Sequence, residues 1–410
     1  MPLKAVLIGP RGTVFKDNKA QTRLLDDLIQ FIRRMNALKV HVGLWSQHPV
    51  NYNEQGHLES VESYLSRQSG ASVPFYRAAW GNLLARRRGG AVAPILKGLG
   101  VEPHETILVG NNTEDMLAGV NNKLLLVRPE WYPGSHEYGF TVRSIGELAQ
   151  FCELFGLRKH PIFWSVDDGN LQVRSMGPFS TRIPDFAIFG ADARDAAKYD
   201  AGERQFWFLM IVSSLYFSGL MQQIDFVAAF PGHNPRSISQ VRLGLDALLT
   251  TLGKCFKKDY LPDLIVRHRL AIKSQTASAE QKTFRNQLNT LHLNRRARHY
   301  DRDPPKSDIR LKGKRVLVVD DICTNGRSLD AARAYIEAAG GTAVLFSWLK
   351  TISRSFLHMN PVPTLAPFEA NRIAVEPRAV EYGYSANIVS DDAPGEIDRT
   401  LAAYKRWKWP

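Results

Sequence analysis

Residues 314–328 have the sequence KRVLVVDDICTNGRS. The apolar run within it, residues 316–319, predicts a buried strand, and this strand leads into the acidic pair Asp320 and Asp321. A short loop of Thr, Asn, Gly and Ser follows, then an amphipathic helical pattern, and then a second apolar run over residues 342–346. This order of strand, polar loop, helix and strand indicates a parallel α/β sheet.

The polar loop has the features of an anion site. Backbone N–H groups of a tight loop that opens a helix point toward one place, where the helix dipole also favours negative charge. The hydroxyls of Thr324 and Ser328 add donors, and Gly326 permits close approach of the backbone or a positive φ. Asp320 and Asp321 stand where carboxylates accept hydrogen bonds from the hydroxyls of an attached sugar. We therefore expect this segment to hold both ends of a sugar phosphate.

The stretch resembles the phosphoribosyl pyrophosphate (PRPP) motif of type I phosphoribosyltransferases, in which strand, acidic pair, loop and helix occur together. The resemblance implies that Asp320 and Asp321 face the ribose hydroxyls. It also implies that the 5-phosphate is bound by Thr324, Asn325, Gly326, Arg327 and Ser328. The loop departs from the family at residues 325–327, where Thr-Gly and a small or neutral residue are usual, and neither change forbids binding. The alternative is a Walker-B-like or receiver-type acidic site, although the chain contains no Walker A loop.

Upstream segments extend this resemblance over about residues 225–350. A strand-like run precedes a turn-rich loop, and in the family this loop approaches the pyrophosphate, which implies contacts from Pro231, Gly232 and Arg236. A helical stretch, a Ser-Gln-Thr segment and an Arg-Asn pair follow in an order similar to that of ComF-type phosphoribosyltransferases. The likeness implies a type I phosphoribosyltransferase fold for this part of the chain.

The implied reaction is displacement of pyrophosphate from C1 of the ribose by a nitrogen nucleophile. Mg²⁺ on pyrophosphate and ribose oxygens would neutralise the leaving group, and Asp320 and Asp321 would meet the metal indirectly, through the ribose. Lys273, Arg285 and Arg236 would stabilise the leaving charge. The resemblance thus implies Mg²⁺ as cofactor and PRPP as ligand, and leaves the acceptor unidentified.

The first 150 residues contain a second pattern of alternating strands and helices. Apolar runs at residues 5–8, 40–45, 106–109 and 123–127 predict parallel strands with ligand space at their carboxyl ends. The residues that follow these runs occur in an order that resembles the haloacid dehalogenase (HAD) phosphatase superfamily. The counterparts of the family's site residues are Gly9, Arg11, Ser46, Lys97, Asn111 and Asp115.

The departures from the HAD pattern remove its chemistry. Gly9 stands where the family has its nucleophilic Asp, Arg11 where it has the general acid/base, and Asn111 where it has a metal-binding Asp. Phosphotransfer needs carboxylates to attack phosphorus and to hold Mg²⁺. We therefore expect a pseudo-phosphatase, while phosphate binding by Ser46, Lys97 and Arg11 and a purely scaffolding role both stay open.

The chain has 410 residues, which suits two domains. We place a catalytically inactive HAD-like domain at 1–150, a connecting segment packed between the domains at 151–200, and a type I phosphoribosyltransferase-like domain with a C-terminal extension at 201–410. The expected fold class is α/β with two parallel-sheet domains. An apolar helix at about 203–218 is expected to be core or an oligomer face, so a homo-oligomer stays open.

The charge of the chain favours a ligand that carries phosphate. Lys and Arg total 53 against 40 Asp and Glu, a net charge of +13. Residues 254–315 hold 17 basic and 6 acidic side chains, and within them the run 293–300 alternates Arg with His and Tyr, which suits PRPP or single-stranded nucleic acid. The run of three arginines at 86–88 is expected to be a solvated loop, with nucleic-acid contact as the alternative.

The alternative function is non-enzymatic: a PRPP or nucleotide sensor, a single-stranded nucleic-acid-binding protein, or a bacterial stress or defence effector. No apolar window in the sequence is long enough to cross a membrane. The three cysteines lie far apart and show neither metal nor disulfide spacing. We therefore expect a cytoplasmic protein without membrane association.

Overall fold

The computed structural model describes residues 3–16, 19–54, 57–77, 85–198, 201–235, 240–256, 258–272, 282–299 and 307–410. Most strands belong to two six-stranded sheets, and helices cover the sheet faces. The α/β class predicted from the sequence is confirmed.

The strands in chain order are β1 (Ala5–Ile8), β2 (Phe15–Lys16), β3 (Lys19–Ala20), β4 (His41–Ser46), β5 (Asn51–Glu54), β6 (His57–Ser60), β7 (Phe75–Arg77), β8 (Thr106–Val109), β9 (Leu125–Pro129), β10 (Phe140–Val142), β11 (Trp164–Asp168), β12 (Leu171–Phe179), β13 (Phe226–Ala229), β14 (Asp259–Tyr260), β15 (Ile265–Arg267), β16 (Leu291–Leu293), β17 (Arg315–Cys323), β18 (Thr342–Thr351), β19 (Phe356–Met359) and β20 (Ala379–Tyr382). The α-helices are α1 (Thr22–Ala37), α2 (Val61–Ser69), α3 (Ala93–Leu99), α4 (Thr113–Asn121), α5 (Ile145–Gln150), α6 (Pro184–Lys198), α7 (Arg204–Phe217), α8 (Gln240–Phe256), α9 (Phe284–Leu288), α10 (Arg327–Ala338) and α11 (Ala393–Arg406).

The first sheet is parallel throughout and has the spatial order β10-β9-β8-β1-β4-β7. β1 lies between β4 and β8, and all of its residues are buried. A continuous apolar run suits such a strand because helices cover both faces of the sheet. The loops that follow β1, β4 and β8 therefore meet at one edge, where ligands bind in parallel sheets.

The second sheet has the order β11-β12-β18-β17-β13-β14, and all its pairs are parallel except β11 with β12. β11 and β12 come from residues 164–179, which the sequence analysis placed in a connecting segment. They form an edge hairpin in which polar and apolar residues mix, so they lack the continuous apolar run of a central strand. β17 is also longer than predicted, because β18 pairs with it as far as Cys323.

One hydrophobic core joins the two sheets. α7 lies in this core with residues 206–217 all buried, so the apolar helix expected at 203–218 is core. The Tyr216 hydroxyl contacts the carbonyl oxygens of Pro103, at 2.6 Å, and of Thr106. α8 packs against β13 of the second sheet and against β9 and β10 of the first. Among the helices of the described residues, none has the length and apolar character needed to cross a membrane.

The end of the chain returns to the first sheet. The Arg34 guanidinium of α1 lies over the indole rings of Trp407 and Trp409, at 5.8 and 5.6 Å. Trp409 Nε1 donates to Asp27 Oδ1 at 2.9 Å. The residues that follow α11 thus pack against α1 at the side of the shared core.

Candidate functional site

The residues that carry the HAD resemblance meet at the carboxyl edge of the first sheet. Gly9 follows β1, Ser46 ends β4 and Gly110 follows β8, and these three strands are neighbours. Ser46 is buried. The parallel register explains the meeting, because Ile8 pairs with Leu44 and Val109 on either side.

An ion pair fills the space beside Gly9. Arg86 Nη2 lies 2.6 Å from Asp115 Oδ1, and the two side chains are only 5% and 0% exposed. A β-carbon on either Gly9 or Gly110 would overlap the Asp115 carboxylate. The Arg86 guanidinium also lies 4.9 Å from the ring centre of Trp45. Protein side chains thus take up the room that a nucleophile on β1 would need.

Asp115 is also bonded within its own helix. Its N–H donates to Asn112 Oδ1 at 2.8 Å, and the Asn112 N–H donates to Asp115 Oδ2 at 3.3 Å, which forms a capping box at the start of α4. Burial raises the pKa of the Asp115 carboxyl, and the Arg86 guanidinium and the Asn112 N–H oppose that rise. Both carboxylate oxygens therefore contact protein groups.

The other predicted residues of this edge have structural contacts or lie exposed. Asn111 Nδ2 donates to the carbonyls of Tyr132 at 3.0 Å and Pro129 at 3.4 Å. Arg11 is exposed, and its carbonyl accepts a bond from Asn112 Nδ2 at 2.9 Å. Lys97 is exposed in the last turn of α3. Gly9 and Asn111 stand where the resemblance implies carboxylates, and the Asp115 carboxylate is paired with Arg86. These residues therefore lack the carboxylate oxygens that Mg²⁺ needs as ligands.

Arg86 corrects the expectation of a solvated arginine loop. It is buried, whereas its neighbour Arg87 is 62% exposed in a 3.8 Å pair with Glu114. Arg86 has no local signal of burial in the sequence, because its partner Asp115 is distant in the chain and a run of arginines otherwise suggests solvent exposure.

The predicted PRPP loop lies at the carboxyl edge of the second sheet, between β17 and α10. Gly326 is the N-cap residue of α10, with φ of 73°, and a β-carbon there would overlap the Phe356 ring. Because glycine offers no capping side chain, the N–H groups of Arg327 and Ser328 in the first turn have no acceptor from a cap. Phosphate binding at this helix start stays a prediction.

The acidic pair lies half-buried near the end of β17. Asp320 Oδ1 accepts the Asp321 N–H at 3.0 Å, and Asp321 Oδ1 accepts the Ile322 N–H at 2.7 Å. In the loop that follows, Thr324 is exposed, with its Oγ1 atom 3.3 Å from a neighbouring hydroxyl on β18. The Asn325 carbonyl accepts a hydrogen bond from the Leu357 N–H of β19 at 3.0 Å. The carboxylates and the loop therefore stand next to one another, as predicted.

The loop of Pro231 and Gly232 lies beside the PRPP loop, because β13 and β17 are neighbours. Arg267 Nε donates to the Gly232 carbonyl at 2.7 Å. The same guanidinium donates to Thr290 Oγ1 at 2.6 Å and to Gln287 Oε1 at 2.8 Å. Burial lowers the pKa of Arg267 to about 10, and the negative charge of Asp320 acts in the opposite direction.

Lys350 is a second cation at this edge, and unlike the half-buried Arg267 its side chain is fully buried. Its Nζ donates to the carbonyl of Thr324 at 2.5 Å and also to the carbonyl of Arg354. The same atom lies 5.4 Å from a ring centre of Trp164 and 5.9 Å from that of Tyr384. Burial lowers the pKa of Lys350. Neither Lys350 nor Arg267 was predicted as a site residue.

The other cations that were predicted to bind PRPP either lie outside the described residues or contact other parts of the protein. Lys273 and Arg236 lie outside the described residues. Arg285 Nη1 donates to the Ala374 carbonyl at 3.0 Å, so this side chain ties α9 to a later segment. Arg327 lies over an aromatic ring of α9, and burial lowers its pKa.

The basic run at 293–300 makes contacts away from this loop. Its described ion pairs are Arg295–Asp308 at 3.5 Å and Arg298–Asp263 at 3.8 Å, and His299 Nδ1 lies 3.3 Å from Asp259 Oδ1. Tyr300 lies outside the described residues. The acids that partner this run belong to β14 and to flanking loops, so much of its charge is already paired within the protein.

Comparison with known proteins finds similarity in fold only. No protein-family model matches the chain, and no curated protein is similar in sequence. Solved structures that are similar over about a third of the chain include a Lactobacillus delbrueckii protein assigned as a phosphoglycolate phosphatase, with 13% identity, a TM-score of 0.25 and coverage of 30% of this chain and 51% of that chain. The chain thus spans about half the length of that protein.

Two further solved structures are each similar over 36% of this chain. A HAD-superfamily hydrolase from Geobacter sulfurreducens has 12% identity, a TM-score of 0.24 and coverage of 36% of this chain and 95% of its own. The 3-deoxy-D-manno-octulosonate 8-phosphate phosphatase of Moraxella catarrhalis, in complex with magnesium and phosphate ions, has 9% identity, a TM-score of 0.26 and coverage of 36% and 84%. Similarity at this level concerns the fold and not the activity.

Proposed function

We propose that the chain binds PRPP at the edge of the second sheet and acts as a phosphoribosyltransferase, releasing pyrophosphate as ribose 5-phosphate passes to a nitrogen acceptor. The observation that carries this proposal is the start of α10. Gly326 caps it without a side chain, and the half-buried Asp320 and Asp321 lie near the end of the strand that leads into this loop. A phosphate monoester there would accept bonds from first-turn N–H groups and face the positive end of the helix dipole.

The neighbouring groups suit the rest of the ligand. Asp320 and Asp321 would accept hydrogen bonds from the ribose hydroxyls, since carboxylates are pure acceptors. The Gly232 loop, on the adjacent strand, would approach the pyrophosphate. Carboxylates together with ligand oxygens suit Mg²⁺, and that ion, when bound, supplies charge neutralisation of the pyrophosphate leaving group.

The first sheet has a supporting role in this proposal. The Arg86–Asp115 pair occupies the place where phosphotransfer would need free carboxylates. α7 and α8 connect the two sheets through a common core, so a HAD-like domain without activity would fix the shape of the second sheet. We therefore propose a pseudo-phosphatase domain that acts as a scaffold.

Measurement of pyrophosphate release distinguishes a phosphoribosyltransferase from a PRPP sensor. The full chain is incubated with Mg²⁺-PRPP and a panel of nucleobases and amines, and pyrophosphate is measured with a coupled assay. Acceptor-dependent release that disappears in the Asp320→Asn, Asp321→Asn double variant would support transfer. Tight binding of PRPP without release, with every acceptor and in its absence, would instead favour a PRPP sensor.

A further inference from the structure

We infer that Lys350 is a positioning residue for the phosphate loop: it fixes the loop backbone and places a positive charge beneath the bound anion. The inference rests on the proposed function, because it concerns the same loop. Lys350 is fully buried at the end of β18, directly beside Cys323 at the end of β17. It would act through the loop and not by touching the ligand.

A lysine in this position needs an explanation. Lysine side chains are almost never fully buried unless they are paired. The other strongly buried cations in the described residues have carboxylate partners: Arg86 with Asp115 at 2.6 Å, Arg158 with Glu396 at 3.4 Å and Arg333 with Asp330 at 2.7 Å. Among the described residues, the contacts of the Lys350 ammonium are carbonyl oxygens and aromatic rings instead. Its charge is therefore balanced by dipoles, and a nearby anion would complete the balance.

The contacts of Lys350 hold the loop from two sides. The Thr324 carbonyl points at Nζ, and in a trans peptide the N–H of the next residue, Asn325, points the opposite way. The Arg354 carbonyl, bound by the same ammonium, belongs to the turn that precedes Phe356, whose ring covers Gly326. One side chain thus orients a loop N–H away from the core and secures the residue that packs over the helix start.

The charge adds a second effect. A buried cation attracts a nearby phosphate more strongly than an exposed cation does, because water screens the interaction less. We expect loss of this charge and of the loop geometry to weaken anion binding roughly 10- to 100-fold.

The test uses the full chain and two anions, Mg²⁺-PRPP and inorganic phosphate, measured by calorimetry beside thermal unfolding. Lys350→Met removes the charge at similar volume, and Lys350→Arg retains it. Arg158→Met is the matched control, since Arg158 is also a buried cation but pairs with the carboxylate of Glu396. We expect Lys350→Met to weaken both anions, Lys350→Arg to recover part of the affinity, and Arg158→Met to lower the melting temperature without changing affinity.

The outcomes separate this inference from the proposed function. Binding of inorganic phosphate that depends on Lys350, without PRPP binding, would support the inference and defeat the PRPP proposal. If a folded Lys350→Met variant binds PRPP as tightly as the wild-type chain does, the PRPP proposal would be supported and the role inferred for Lys350 would be wrong. Absence of binding of either anion to the wild-type chain would defeat both. Equal losses in Lys350→Met and Lys350→Arg, or an affinity loss in Arg158→Met, would overturn the role given to the charge.

Discussion

The Arg86 guanidinium lies 2.6 Å from the Asp115 carboxylate, with both side chains buried. The pair sits where Gly9 and Gly110 leave room, and a β-carbon at either glycine would overlap Asp115. Protein side chains thus fill the space beside Gly9 at the carboxyl edge of the first sheet. We regard this pair as the feature that makes this edge of the first sheet a packed interior.

An acid restored at position 9 is expected to give no phosphatase activity. In Gly9→Asp the new side chain would overlap Asp115 and set two carboxylates against each other, so the variant should melt at a lower temperature. Hydrolysis of p-nitrophenyl phosphate with Mg²⁺ is the measurement. Gly98→Asp, which places its side chain in open space on α3, is the control and should keep the wild-type melting temperature more closely. Mg²⁺-dependent hydrolysis by Gly9→Asp would show that the pair can be displaced.

Removal of one partner of the ion pair should destabilise the chain strongly. Arg86→Met leaves the buried Asp115 charge without its cation, which costs about 3–5 kcal/mol of the free energy of unfolding. Arg87→Met, at an exposed position of the same loop, should change it by less than about 0.5 kcal/mol. Urea denaturation of both variants measures the difference, and a similar small loss in both would contradict a structural pair.

The loss in Arg86→Met should shrink as the pH falls. Burial raises the pKa of Asp115, and removal of Arg86 takes away a group that lowers it. A carboxyl whose pKa is raised in the folded state favours folding once it is protonated, so stability lost at neutral pH returns below the folded-state pKa. Denaturation at about pH 7.5 and about pH 5 tests this sign. A loss that stays constant or grows toward acid pH would contradict it.

Gly326 should tolerate no side chain. Gly326→Ala forces a positive φ on alanine, and its β-carbon would overlap the Phe356 ring, which together should cost about 2–4 kcal/mol and weaken phosphate binding. Gly313→Ala provides the matched control, because Gly313 has φ of 72° with nothing near its β-carbon position. The free energy of unfolding of that variant should fall only by the cost of a positive φ on alanine, about 1 kcal/mol. Equal losses at both glycines would show that the Phe356 contact contributes nothing.

The shared core predicts that the two sheets unfold together. Calorimetry of the whole chain should give one transition, and Tyr216→Phe should lower its midpoint, because the Pro103 and Thr106 carbonyls lose a buried donor at a cost of about 1–3 kcal/mol. Two transitions, with only one of them shifted by Tyr216→Phe, would mean that the sheets fold as independent units.

Local sequence patterns were sufficient for the central strands and for the loop at Gly326. β1, β8 and the apolar part of β17 are continuous apolar runs because both of their faces are covered, and such runs are visible without knowledge of the neighbours. The edge hairpin of β11 and β12 lacks this signal, since its exposed positions are polar.

Local patterns did not predict the buried Arg86 and Lys350 or the half-buried Arg267. Arg86, Arg267 and Lys350 contact groups that are distant in sequence or belong to the backbone of other elements. A lone lysine at the end of an apolar strand suggests a surface residue. The carbonyl oxygens that bind Lys350 come close to it only in the folded chain, so the sequence gives no sign of them. The Arg-His-Arg run at 267–269, charged within a strand-like segment, is the one local signal that could have drawn attention to Arg267.

Calorimetric titration of the full chain with PRPP in the presence of Mg²⁺ tests the central claim most directly. The account predicts saturable binding at one site per chain, weakened at least about tenfold in the Asp320→Asn, Asp321→Asn double variant, because the ribose hydroxyls lose charged acceptors. The same titration of Arg86→Met, if that variant remains folded, should show unchanged affinity. Absence of binding to the wild-type chain, or binding that the double substitution leaves intact, would contradict the claim that PRPP is held at the end of β17.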